Sequence, residues 1–297
     1  MIINRDNLQT LFVGFNTAFS GGFAEAAPQW ERIATRVPST TAKEEYGWIG
    51  KIPNVREWLG DRHVQNLSQS DYAIRNRDFE LTVKVDRNDI EDDNIGLYRP
   101  LFEELGRSTG AHYDQLVWGL LKAGFSTRCY DGQPFFDADH PVLDENGKVV
   151  SVANTDGGTG APWFLIDNSR ALKPVILQVR KAWQLVRKDS PDDENVFSRK
   201  EFVYGVDARH AVGFGFWQFS WGSKQPLTGA TYGNARAALA SMKGDYGRPL
   251  GLSGKVLVVS PTLESTARKL LNSDLAAGGE TNEWKGTAEL LVVPWLA

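Results

Sequence analysis

The chain has 297 residues, with 33 Lys and Arg against 37 Asp and Glu, for a formal charge of −4. Hydrophobic residues make up 41% and charged residues 24%, which excludes a disordered chain, and the slight acidity excludes a dedicated nucleic-acid binder with a basic face. A lone cysteine, Cys129, excludes an internal disulfide and a cysteine-based zinc site, and no run approaches the ~18 apolar residues of a membrane span. With no secretory apolar stretch after Met1–Asp6, a soluble intracellular protein is expected. Ten Trp stand out. Large aromatics anchor cores or interfaces, so the number points to contact surface beyond one monomer's needs.

Leu8, Leu11, Phe12, Phe15 and Phe19 recur at helical spacing until Gly21-Gly22, predicting an amphipathic helix over 5–19. Such a helix either docks on its own core or packs on a neighbouring chain. Residues 27–41 read as an extended linker with a short helical turn. Across 46–90, Gly47, Gly50, Pro53 and Gly60 bend the chain, and the segments 62–67 and 72–75 flank a turn at 68–71. Phe79, Leu81, Val83 and Val85 then alternate with polar residues as a strand, and a phase break at Asn76-Arg77-Asp78 predicts a kink. The whole reads as a long hairpin, and a two-stranded ribbon needs something to lie on.

The acidic run 89–94 suits the N-terminus of the next helix, whose apolar spacing extends from Leu97 to Leu121. Beyond residue 126 come turn-rich loops and strands over 163–166, 175–179, 202–206, 214–219, 256–259 and 290–293. Helices are expected over 231–243 and over 263–271, the latter capped by Thr262. Helices and strands mix without regular alternation, so the class is α+β. Trp118, Trp163, Trp217 and Trp295 lie in apolar runs and read as core, whereas Trp30, Trp48 and Trp58 read as contact residues.

Catalytic constellations are absent from the pattern: there is no phosphate loop, no nucleophile elbow and no helical His pair. The loop 131–141 offers Asp137, Asp139 and His140 as oxygen and nitrogen donors, the basis of an alternative reading as a metal-dependent hydrolase. Turn-forming Asp residues explain the same loop without a metal. Arg56-Glu57-Trp58 and Gly60-Asp61-Arg62 place ion-pairing groups around a tryptophan, the composition of an interface anchor.

Several runs resemble the Mu-type phage major head subunit: Ala34–Thr41, Glu45–Trp48, Arg56–Trp58, Gly60–Arg62, Ile90–Asp93, Cys129–Gln133, Asp139–Pro141, Asp192–Phe197, Tyr204–Arg209, Gly222–Leu227 and Trp284–Leu290. They follow in order over nearly the whole chain. The resemblance implies a structural capsid protein with the Hong Kong 97-type fold and no enzyme activity, cofactor or metal. It implies an N-terminal arm (1–45), an extended β-hairpin loop (46–90), a spine helix of a peripheral domain (91–125), and an axial domain with returning peripheral strands (126–297). It also implies assembly in a bacterial cytoplasm into hexamers and pentamers of an icosahedral virion head. Expected partners are a scaffold, head protease, portal, decoration proteins and packaged double-stranded DNA held without sequence specificity, with no membrane. An encapsulin-like cellular shell shares the fold and is the other alternative. The subunit-contact candidates are Phe12, Phe15, Trp30, Trp48, Arg56, Glu57, Trp58, Asp61, Arg62, Arg75, Arg77, Phe79 and Glu80.

Overall fold

The structure, a computed structural model, describes residues 2–47, 49, 72–92, 95–276 and 278–297. Helix α1 (Arg5–Glu25) begins where the Asn4 side chain accepts the Asn7 N–H at 2.8 Å. Short strands β1 (Ala34–Pro38) and β2 (Lys43–Glu45) follow, then β3 (Ala73–Arg75) and β4 (Arg77–Asp86). Asp86 caps the short helix α2 (Arg87–Glu91), accepting the Asn88 N–H at 2.8 Å. The long helix α3 (Arg99–Lys122) starts with Pro100 in its first turn and carries no side-chain cap. The acidic run therefore does not cap the long helix as expected. Its first residues form α2, and Asp89 instead accepts the Tyr98 hydroxyl.

The second half comprises β5 (His140–Leu143), β6 (Val149–Val152), β7 (Thr155–Gly158), β8 (Trp163–Ile166), β9 (Val175–Lys188), α4 (Glu194–Arg199), β10 (Glu201–Phe214), β11 (Ser220–Lys224), α5 (Gly229–Ala240), β12 (Val256–Val259), α6 (Glu264–Asn272) and β13 (Glu289–Val292). Two expectations fail locally. Residues 214–219 are not one strand, because the chain turns through a 3-10 helix at Trp217–Phe219 that buries both aromatic ends. Thr262 does not cap α6, since it lies inside the 3-10 turn Pro261–Leu263 and pairs with the Ser260 hydroxyl at 2.6 Å.

One four-stranded sheet runs β1-β9-β10-β4, with β1 parallel to β9 and the others antiparallel. The strand expected to close the 46–90 hairpin is its edge: β4 pairs with β10, from Asp86 opposite Glu201 to Arg77 opposite His210. Alternation specified a strand correctly but not its partner, which lies more than a hundred residues away. The short β2–β3 pair, with Glu45 opposite Ala73, holds together the two ends of the intervening segment. A five-stranded sheet, β13-β12-β8-β11-β7, carries the larger core with β8 and β12 buried throughout.

Helices α1 and α3 cover one face of the four-stranded sheet. Phe15, Phe19, Phe102, Tyr204 and Val206 form their shared core, and the Phe15 and Phe102 rings stack at 4.0 Å. Gly21-Gly22 does not stop α1 as expected; the helix continues to Glu25. Gly22 sits where a Cβ would lie 2.7 Å from the Glu103 carbonyl carbon. Gly106 reciprocates, with a Cβ there 2.7 Å from the Phe23 nitrogen, and a Cβ at Gly110 would lie 2.7 Å from the Ala26 methyl. These glycines let the two backbones touch.

Candidate functional site

The ends of the 46–72 segment are fixed by a buried polar knot. Asn76, at the phase break between β3 and β4, donates to Ser39 Oγ and to the Thr41 carbonyl, each at 2.8 Å. Its Oδ1 accepts Gln178 Nε2 at 2.8 Å, and Gln178 Oε1 accepts the Tyr46 hydroxyl at 2.8 Å. A strand cannot carry Asn76 through regular alternation while its amide meets three groups, two from the turn between β1 and β2 and one from β9, so the pleat breaks there. Glu44 locks the neighbouring turn. The Thr40 and Thr41 N–H groups and the Ser39 hydroxyl all donate to Oε1, holding its carboxyl down at about 2. The Tyr72 oxygen accepts the Phe214 N–H at 2.7 Å, and burial pushes its hydroxyl up to about 12.

Beside the knot lies an aromatic–histidine cluster joining α3 to the sheet. Phe79 stacks on His210 at 4.5 Å, and His112, Tyr113 and Trp183 surround the same imidazole edge-on. Both His210 ring nitrogens are buried without a hydrogen-bond partner among the described residues. Desolvation first, and the His112 ring second, hold its pKa down at about 3, so His210 is neutral.

The contact candidates divide by position. Phe15 and Trp30, two of the contact candidates, are buried inside their own chain. Asp114 fixes the turn at Trp30 by accepting the Gln29 and Trp30 N–H groups at 2.9 and 2.6 Å, and it also accepts the Trp118 indole at 3.2 Å. Phe12 is half-buried under the Arg187 guanidinium, 4.8 Å from its ring centre. Phe79 is half-buried in the histidine cluster, while Arg75, Arg77 and Glu80 are exposed, with Glu80 accepting the Thr82 hydroxyl at 2.7 Å. Trp48, Arg56, Glu57, Trp58, Asp61 and Arg62 lie outside the described residues. Trp295, expected in the core, is 42% exposed, because the 3-10 turn Pro294–Leu296 buries Leu296 instead.

The hydrolase ligand set does not assemble. Asp137 Oδ1 accepts the Asp139 N–H at 2.9 Å in a tight turn, and Asp139 takes the Ser151 hydroxyl. His140 points elsewhere, its ring stacked at 3.9 Å on Trp217 and its Nδ1 2.7 Å from Asp131 Oδ2. Among the described residues, the donors that converge are Cys129, Asp131 and His140, within 4.8 Å of one another. Two contacts link them, His140 Nδ1 to Asp131 and the Cys129 thiol donating to Asp131 Oδ1 at 3.1 Å, while His140 Nε2 is buried without a partner among the described residues. Burial together with the Asp131 charge pushes the thiol far up. Sequence reading missed this trio because it weighed the cysteine alone. Asn76 was visible only as a kink.

Arranged this way, the described residues offer anchoring and contact surfaces. Among them, no helix is long and apolar enough to cross a membrane. The family model described as Mu-like prophage major head subunit gpT matches residues 8–296. The major capsid protein of Escherichia phage Mu is 41% identical over 305 aligned positions, covering all of both chains. The Mu-like prophage FluMu major head subunit of Haemophilus influenzae is 44% identical, covering 93% of this chain and 92% of its own. A chain from the procapsid of bacteriophage JBD30 superposes with a TM-score of 0.89 at 41% identity, covering 99% of this chain and 100% of that one. A chain from the JBD30 capsid gives 0.78 at 33% identity, covering 91% and 92%. These similarities extend from α1 to the final turn, and the chain belongs to the Mu-like prophage major head subunit family.

Proposed function

We propose that the chain works by self-assembly, as the major capsid protein that builds the icosahedral head of a Mu-like phage. The observation that carries this is the superposition of nearly the entire chain on a procapsid subunit of the same tailed-phage capsid fold. The higher score against the procapsid chain than against the capsid chain supports a further reading, that the conformation described here is the one adopted before head maturation. A structural rather than catalytic role is supported by the match to head subunits over nearly the whole chain.

In this reading β2, β3 and the Asn76 knot are the base from which the extended loop leaves the subunit, and α3 is the spine helix. The arm is confined to residues before β1, with α1 docked on its own spine. Assembly takes place in the bacterial cytoplasm with a scaffold, a head protease and a portal, and the finished head encloses double-stranded DNA without sequence preference. The JBD30 capsid decorated with minor capsid protein trimers supports a decoration partner for this chain too. Electron microscopy of the expressed chain, alone and with its scaffold, is the test. Closed shells are expected, and a discrete monomer or dimer under both conditions would refute the reading.

A further inference from the structure

The β9–β10 hairpin carries unlike patches at its two ends. At the turn, Asp192, Asp193 and Glu194 lead into α4, and among the described residues none of them forms an ion pair. Phe197 on this helix is 84% exposed, although its neighbour Val196 is buried. The helix is firmly seated, because Asn195 Nδ2 donates to the Lys188 and Glu201 carbonyls at 3.0 and 2.7 Å. Phe197 is thus held outward on a fixed support rather than left out by fraying.

At the other end a cavity of about 190 Å³ opens between β3 and β10, walled by Tyr72, Phe79, Leu116 and Val212. Arg75 and Arg77 stand at its rim, exposed and, among the described residues, free of ion pairs. The Arg77 guanidinium lies 5.6 Å from the Phe79 ring centre. β10 separates the two patches, from Glu201 to Val212, about 37 Å at ~3.4 Å per residue. They cannot meet within one chain.

We propose that the Phe197 tip of one copy docks in the Arg75–Arg77 cavity of a second copy, head to tail along the sheets. This rests on the head-subunit reading above. An aromatic side chain enters a cavity walled by Tyr72, Phe79, Leu116 and Val212 while three carboxylates meet two guanidiniums at the rim, the usual division between anchor and steering charges. The larger groove beside α1, about 730 Å³, fits an acidic tip poorly because Glu25 and Glu103 stand at its edge. A head-to-tail contact uses different surfaces on each partner, so every copy can give one tip and receive another, closing rings instead of stopping at a pair. Exposed ion pairs add only about 0–1 kcal/mol each, which keeps a single contact reversible while subunits find their places.

The test uses two full-length variants, each blocked at one end. Arg75→Glu/Arg77→Glu retains only the tip, and Phe197→Ala retains only the cavity. Each alone is expected to stay monomeric with a wild-type circular dichroism spectrum and to lower shell yield at least tenfold. Mixed in equal amounts, they should form a one-to-one heterodimer in analytical ultracentrifugation. Wild-type shell yield from either variant alone, or a mixture that stays monomeric, overturns the proposal. A wild-type chain that forms no shells while the heterodimer still appears would refute the head-subunit reading and leave the contact standing.

Discussion

Replacing Gly106 with alanine tests the close approach of α1 and α3. In an exposed helix interior this change gains about 0.5–1 kcal/mol, because glycine loses more backbone freedom on folding. At Gly106 the new methyl would collide with the Phe19 carbonyl oxygen and lie 2.7 Å from the Phe23 nitrogen, both backbone atoms of α1 that cannot rotate away. The helix must move outward, opening the seam where Phe15 stacks on Phe102. Overpacking of this kind costs about 1–3 kcal/mol. The cost is capped by what holds α1 down. Leu8, Leu11, Phe15 and Phe19 contribute about 6–12 kcal/mol of gross burial, offset by ordering their backbone. A net loss of about 1–2 kcal/mol is therefore expected. Gly119 lies on the same helix with nothing within 4 Å of an added Cβ, so Gly119→Ala should instead gain about 0.5–1 kcal/mol. Urea unfolding of the two variants, with hydrogen exchange across residues 5–25, measures both effects. Amides of α1 should exchange about tenfold faster in Gly106→Ala only. Equal stabilisation of both variants would refute the close crossing.

The remaining predictions concern the buried polar groups. Asn76→Ala removes three side-chain hydrogen bonds at once, to Ser39 Oγ, the Thr41 carbonyl and Gln178 Nε2, and should cost about 2–3 kcal/mol in urea unfolding; a loss under about 0.5 kcal/mol would show that the knot is dispensable. His210 has a folded pKa of about 3, below its unfolded value of 6.5, so between these limits the unfolded chain binds the extra proton. Stability is fully present above pH 6.5 and falls by about 1.4 kcal/mol per pH unit from this site as pH drops toward 3. Denaturation across that window should lose part of its slope in His210→Leu, and an unchanged slope would refute the assignment. Cys129 is buried, and burial and Asp131 push its thiol up, so Ellman's reagent should react only as the chain unfolds. Rapid labelling in native buffer would contradict this.

What the sequence made legible follows from how local each determinant is. The apolar runs Trp163–Ile166 and Val256–Val259 could only be strands buried on both faces, and both lie in the centre of the larger sheet. Spacing from Leu97 to Leu121 identified the long helix within a few residues of Arg99–Lys122. Partners were not legible. The alternation of Phe79 to Val85 is satisfied by any neighbouring strand, and β10 wins because Phe202, Tyr204 and Val206 extend the same apolar face beneath α1 and α3. Glycine was equally ambiguous. Gly106 and Gly119 look alike in the chain, yet one is a backbone contact and the other faces open space. The knot failed to show because its members, Ser39, Tyr46, Asn76 and Gln178, are ordinary polar residues scattered over three segments.

The tryptophan surplus needs a different account from the one composition suggested. Trp30, Trp118, Trp163, Trp217 and Trp221 are buried in the chain's own core, so most of the described surplus fills the interior. Among the described residues, contact surface has other candidates. β4 is an edge strand whose outward residues include Arg77, Asp78, Glu80 and Lys84, a composition that discourages indiscriminate strand pairing. Asp78 and Lys84 are paired within the subunit to Arg209 and Glu201. An edge protected in this way favours anchors that are few and specific over broad apolar patches. Phe197 fits that role: a single exposed aromatic on a rigid support, flanked by charge, at the end of the longest strands in the fold. A shell built from such contacts gains strength from their number, while any one misplaced subunit is held weakly enough to leave.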